Sequence, residues 1–222
     1  MSVSDRTRRA RLRAVAIMAG LLSLIGSGYA VFPRHPDLRA FDPAAMAHSE
    51  TTMWRHYYEK RYLWLFADLY DNSRAQYGFS PWDSVRIAAA AARAARAFQP
   101  STSRSGARAA LPFLEEYFGL LARATPVELD IEATARAELD WWQARRESVT
   151  PQNYGAMIAR VSSFLYGLDS EQLREAGVLR AEAMAFRDAR NGAIVDADWS
   201  AIETRLTAAY EVLKHEVSKG RP

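Results

Sequence analysis

Nineteen consecutive residues near the N-terminus, Ala14 to Phe32, carry no charge, and five arginines (Arg6, Arg8, Arg9, Arg11 and Arg13) stand just before them. A helix rises ~1.5 Å per residue, so this run covers ~28 Å, close to the ~30 Å hydrocarbon core of a bilayer. A helix also satisfies its own backbone hydrogen bonds, which lipid cannot do. The run therefore predicts a transmembrane helix over 14–32 behind a basic tip, 1–13. Only Arg34 and Arg39 follow it closely. The positive-inside rule then places the N-terminus in the cytoplasm and residue 33 onward on the extracytoplasmic side of the inner membrane. Tyr29 and Phe32 fall where aromatic rings favour the interface. The alternative is a cleaved signal peptide, since Gly28 and Ala30 have the small-residue spacing of a cleavage site. The run exceeds the ~7–15 residues of a typical signal core, which favours the anchor. Thr7-Arg8-Arg9-Ala10-Arg11-Leu12 is only a loose match to a twin-arginine signal.

The tip also accounts for the charge. The whole chain carries +3; its first thirteen residues hold five Arg and Asp5, or +4, which leaves −1 for the rest. No electrostatic case remains for nucleic acid as a partner. With no cysteine in the chain, disulfides and thiolate chemistry are excluded.

Residues 33–43, PRHPDLRAFDP, read as a Pro-punctuated linker. From residue 44 to 222 the apolar periodicity is helical and no β pattern is present, predicting an all-α fold: one N-terminal transmembrane helix followed by a compact bundle of about seven helices. A long helix is expected from Ala44 to Tyr77, closed by Gly78 in the left-handed conformation. Ser80-Pro81 opens a helix to Phe98. The next spans about Ala107 to Ala124, with Pro112 kinking it or marking its start. Thr125-Pro126 opens one to Glu147, and Thr150-Pro151 opens another closed by Gly167. Asp169-Ser170-Glu171-Gln172 resembles a capping box for a helix to Asp188. Asn191-Gly192 is a turn, and Asp196 or Asp198 caps the last helix, to Lys219.

Three polar-aromatic faces stand out. Glu50 lies one turn before Trp54, which shares an apolar face with Tyr58, Leu65 and Leu69. Glu138, Trp142 and Arg145 share a second face at i, i+4 and i+7. Arg180, Met184 and Asp188 make a third, with Arg187 beside them. Core packing and a buried polar network are the leading reading of these faces, and a Glu50–Arg145 pair is expected. The alternative is a ligand pocket around Trp54, Tyr58 and Trp142, with Glu50 or Glu138 as general acid or base. No cofactor is expected. Among four histidines none follows a Glu-x-x spacing, and His56 with Glu59 is the single weak metal-binding pair. No nucleophilic triad or phosphate loop is evident.

Several segments together resemble a family of bacterial all-helical, membrane-anchored proteins without an established activity. They are Glu50-Thr51-Thr52-Met53-Trp54-Arg55-His56-Tyr57-Tyr58, Gln76-Tyr77-Gly78-Phe79-Ser80, Glu138 through Arg146, and Leu179 through Met184 running into Arg187-Asp188. The resemblance covers most of 44–217. It implies that Glu50, Trp54, Tyr58, Glu138, Trp142, Arg145, Arg180 and Asp188 fall on the family's motifs. The function expected from these readings is a membrane-tethered, non-enzymatic binding, assembly or accessory subunit with a protein partner near the membrane surface. A small-molecule binder or enzyme is the alternative.

Overall fold

The computed structural model describes residues 3–32, 34–147 and 150–219, and the side chains of these except 3–11, 13, 14 and 191. Every regular element among them is helical. The first, α1 (Val3–Val31), contains the apolar run. Leu21, Leu24 and Ile25, among others, stand exposed along it. Its C-terminal end meets the domain through Tyr29, whose hydroxyl accepts a hydrogen bond from Arg74 (3.3 Å) and whose ring lies under Arg34. Among the described residues no helix is long and apolar enough to cross a membrane. The basic tip and Ala14, where the predicted span begins, lie outside the described side chains.

Eight helices longer than one turn follow: α2 (Pro43–Tyr58), α3 (Tyr62–Ala75), α4 (Pro81–Phe98), α6 (Leu111–Leu121), α7 (Ile131–Arg146), α8 (Pro151–Tyr166), α9 (Glu171–Arg190) and α10 (Asp196–Ser218). A single-turn helix, α5 (Arg104–Ala107), precedes α6. Most starts follow the local chemistry. Asp42, Ser80, Asp130 and Thr150 each accept a backbone N–H three residues on, and Pro43, Pro81 and Pro151 occupy first turns where no donor is needed. Gly78 (φ 74) and Gly167 (φ 65) take the left-handed conformation expected of them.

Two expectations are corrected. The helix from Ala44 to Tyr77 is broken at Glu59–Arg61, where Lys60 adopts φ 58. An unbroken helix of that length would run ~50 Å. The break lets α2 pack on α10 while α3 turns to pack on α4. No Gly or Pro marks it; the packing imposes it. The helix expected to open at Thr125-Pro126 begins at Ile131 instead. Thr125 is extended, and its hydroxyl bonds back to the Ala122 carbonyl (2.9 Å), leaving Asp130 to cap α7.

Consecutive longer helices pack on one another from α2 to α10, and α10 returns to α2, so the packing closes into a circuit. Phe41, Phe79, Leu114, Phe118, Leu173, Ile202 and Leu206 fill its interior. Alanines thin the helices that approach most closely, and α8 and α9 cross at Gly155 and Gly177. A Cβ on Gly155 would lie 2.5 Å from the Val178 backbone. The Pro-punctuated segment before α2 is not a free spacer. Leu38 and Phe41 are buried in the core, the Asp37 and Leu38 N–H groups donate to the Tyr77 and Ala124 carbonyls, and the Tyr166 hydroxyl donates to the Leu38 carbonyl.

Candidate functional site

The three faces converge, though not with the expected partners. Glu50 is only 3 % exposed. Its carboxylate accepts Arg180 Nε at 2.9 and 3.2 Å, a further bond from Arg180 Nη2, and one from the Tyr210 hydroxyl. The expected Glu50–Arg145 pair is therefore replaced by Glu50–Arg180. The reason is the helix circuit: α9 and α2 both flank α10, so Glu50 on α2 reaches Arg180 on α9 and Tyr210 on α10. Trp141 on α7 lies 5.6 Å beneath the Arg180 guanidinium.

Arg145 goes elsewhere. It grips Asp188 with Nε (3.2 Å) and Nη2 (2.8 Å), donates to the Tyr58 hydroxyl and lies over the Tyr58 ring. Arg187 stacks on the same ring and also reaches Asp188. Trp54 packs between the two apolar clusters of the core. Glu138 accepts the Trp142 indole N–H at 2.9 Å, a bond within α7 that follows from their i, i+4 spacing. Trp142 meets Phe98 of α4 edge-on.

The electrostatics separate the two carboxyls. Burial pushes Glu138 up, and the nearby Glu50 charge adds to this; the Trp141 and Trp142 indoles and the Arg180 charge oppose it without cancelling it. A protonated Glu138 removes one of two negative charges that would otherwise share one guanidinium. Arg180 loses solvation by burial, but Glu50 and the neighbouring Tyr210 outweigh this and hold its pKa above the usual arginine value. Arg145 is held above it in the same way by Asp188 and Tyr58. Burial drives Tyr77, Tyr117, Tyr154 and Tyr210 upward, so these hydroxyls stay protonated around the network.

Glu50 is buried, while Glu138 and Arg180 beside it are partly exposed. Neither carboxyl lines any of four surface clefts formed by the described residues. Tyr58, Arg145 and Asp188 do line such clefts: Arg145 and Asp188 border one of about 240 Å³ with Tyr154, and Tyr58 borders another of about 420 Å³ with Arg187 and Trp199. His56 and Glu59 take different partners. His56 Nδ1 meets Asp68 at 2.6 Å, and Glu59 pairs with Arg55 and Arg61. Among the described residues no group of three or more His, Cys, Asp or Glu side chains is placed to hold a metal ion. Tyr210 and Trp141 complete the network and were not singled out in the sequence, whereas Arg187 was expected beside the third face. Leu206, Tyr210 and Leu213 share one stripe of α10 by their spacing, which was the available signal for Tyr210.

Comparison with protein-family models, curated proteins and solved structures finds no match to this chain.

Proposed function

We propose that the chain is a single-pass membrane-anchored helical domain serving as a non-enzymatic binding, assembly or accessory subunit of a larger membrane complex. Its N-terminus lies in the cytoplasm, its domain faces the extracytoplasmic side, and a protein partner lies near the membrane surface. The observation carrying this reading is the apolar helix itself. From Val15 to Val31 its large apolar side chains stand exposed, as on no other helix among the described residues. Apolar surface on that scale calls for lipid or a partner rather than water. The net positive charge of the chain comes from the five arginines before it, which supports the orientation.

The competing enzyme reading draws on Glu138, whose raised carboxyl pKa suits a general acid. Against it, Glu138 is held by Trp142 and borders none of the four clefts described above. Two measurements test the proposal. In membranes washed with alkaline carbonate the full chain should stay in the pellet; release into the supernatant rejects the anchor. Extraction in mild detergent followed by mass measurement should give a species heavier than one chain, with a second protein. A clean monomer without companions rejects the subunit role.

A further inference from the structure

A surface groove of about 430 Å³ runs between α3 and α4, with Tyr57 of α2 at its side. That volume lies within the roughly 300–1,000 Å³ of sites that take small ligands. Its walls are Tyr62, Leu65 and Phe66 from α3 and Ala92 and Ala95 from α4. The alanines make the groove, because any larger side chain there would meet α3. The remaining lining residues are Arg96 and Gln99.

The groove has a polar end. The Gln99 amide reaches the Tyr62 hydroxyl at 3.5 Å, which pairs the start of α3 with the end of α4. The two helices therefore run antiparallel. Arg96 and Gln99 lie with Tyr62 at one end, and Phe66 with Ala92 toward the other. Among the described residues Arg96 makes no hydrogen bond or ion pair, and no acidic side chain lines the groove. The half-buried Tyr57 hydroxyl also has no hydrogen-bond partner among them. Burial pushes its pKa upward, so it remains a donor at neutral pH. Arg96, exposed to solvent, and the Tyr57 hydroxyl thus present donors without a partner among the described residues beside an apolar trough, a charge complement to an anion attached to an apolar chain.

We propose that this groove binds a single-chain carboxylate amphiphile, a fatty-acid-like anion. The carboxylate meets Arg96 and the Tyr57 hydroxyl, and the chain lies along Leu65, Phe66, Ala92 and Ala95. The site belongs to the helical domain and does not rest on the membrane reading.

The test uses the full chain in phosphatidylcholine nanodiscs and a tetradecanoate carrying a diazirine near its tail. After irradiation, peptide mass mapping should place the label within residues 62–66 and 92–99. Dodecanoate should compete and dodecylammonium should not. Across shorter chains each added methylene should tighten competition by up to about fourfold, from ~0.8 kcal/mol per buried CH₂. Ala92→Phe should abolish groove labelling while the circular dichroism melt is unchanged. Arg96→Glu should weaken labelling by up to about fivefold, the scale of one exposed ion pair, and undiminished labelling counts against the proposal. If Ala92→Phe melts early, Arg96→Glu decides. Equal competition by the ammonium amphiphile overturns the proposal, as does label confined to residues 15–32. So does groove label that survives a folded Ala92→Phe, or a groove filled by photolabelled phosphatidylcholine instead. Carbonate extraction reads the anchor separately, so failure of one proposal is distinguishable from failure of the other.

Discussion

Replacing Arg180 with Met tests the central polar network directly. The Glu50 side chain is 4 % exposed and that of Arg180 27 %. Arg180 supplies three of the four hydrogen bonds that Glu50 accepts, and Tyr210 the fourth. Breaking a buried pair by removing one partner costs ~3–5 kcal/mol, because the other charge is stranded. Arg180 is about a quarter exposed, so some water reaches the vacated space and the lower end applies, ~3 kcal/mol at neutral pH. For a chain of this size that is a fall in Tm of roughly 6–12 °C. The loss should depend on pH, with a definite sign. Without its cation, Glu50 is a buried carboxyl beside Glu138, and burial then favours its neutral form over the stranded carboxylate. A raised pKa gives stability that is present below the unfolded pKa and is lost as pH rises through the folded pKa. The variant should therefore lie closer to wild type at pH 4.5 than at pH 8. Adding Glu50→Gln should recover much of the loss at pH 8, since no charge is then stranded. Urea denaturation of the full chain in a mild non-ionic detergent, followed by circular dichroism, measures all three. A loss below ~1 kcal/mol for Arg180→Met, a flat pH dependence, or a double variant no better than the single one refutes the account.

Three further perturbations follow from individual environments. Glu138 is raised by burial above its ordinary 4.5, so its contribution is present below that value and fades as pH rises. Glu138→Gln should match wild type near pH 4 and exceed it at pH 8 in urea denaturation; an equal or lower midpoint at pH 8 contradicts this. Gly177→Ala drives a methyl into the Gly155 carbonyl on α8. Backbone cannot step aside as a side chain does, so a loss of ~3 kcal/mol or failure to fold is expected, and a wild-type thermal melt would show that the crossing is looser. Lys60 carries a side chain at φ 58. Lys60→Gly should stabilise the chain by about 1 kcal/mol by removing that clash, and a destabilised variant would mean the α2–α3 joint draws support from the lysine itself.

Much of the secondary structure was legible because its signals are local. Ser80-Pro81, Thr150-Pro151 and Gly167 set their boundaries by hydrogen bonds and backbone angles within a few residues. Glu138 and Trp142 were legible as partners for the same reason, since one helical turn joins them. The break at Lys60 was not, because no residue there forbids a helix. It arises where α2 follows α10 and α3 follows α4. The Thr125 cap failed because no helix follows it directly: Thr125 is extended, its hydroxyl donates to the Ala122 and Val127 carbonyls, and α7 opens only at Ile131. Leu38 and Phe41 sit in a proline-spaced segment that reads as a linker, and only the cavity they fill shows them to be core.

The sequence by itself determined an all-helical chain and the assignment of its net positive charge to the first thirteen residues. Helical period and charge are properties of neighbouring residues, so they survive without a fold. The tertiary structure alone decided the partners. Glu50 lies 130 residues from Arg180 and 160 from Tyr210. Arg145 and Arg180 are equivalent in charge and reach. What separates them is the order in which eight helices close on one another, which places α9 rather than α7 against the Glu50 carboxylate.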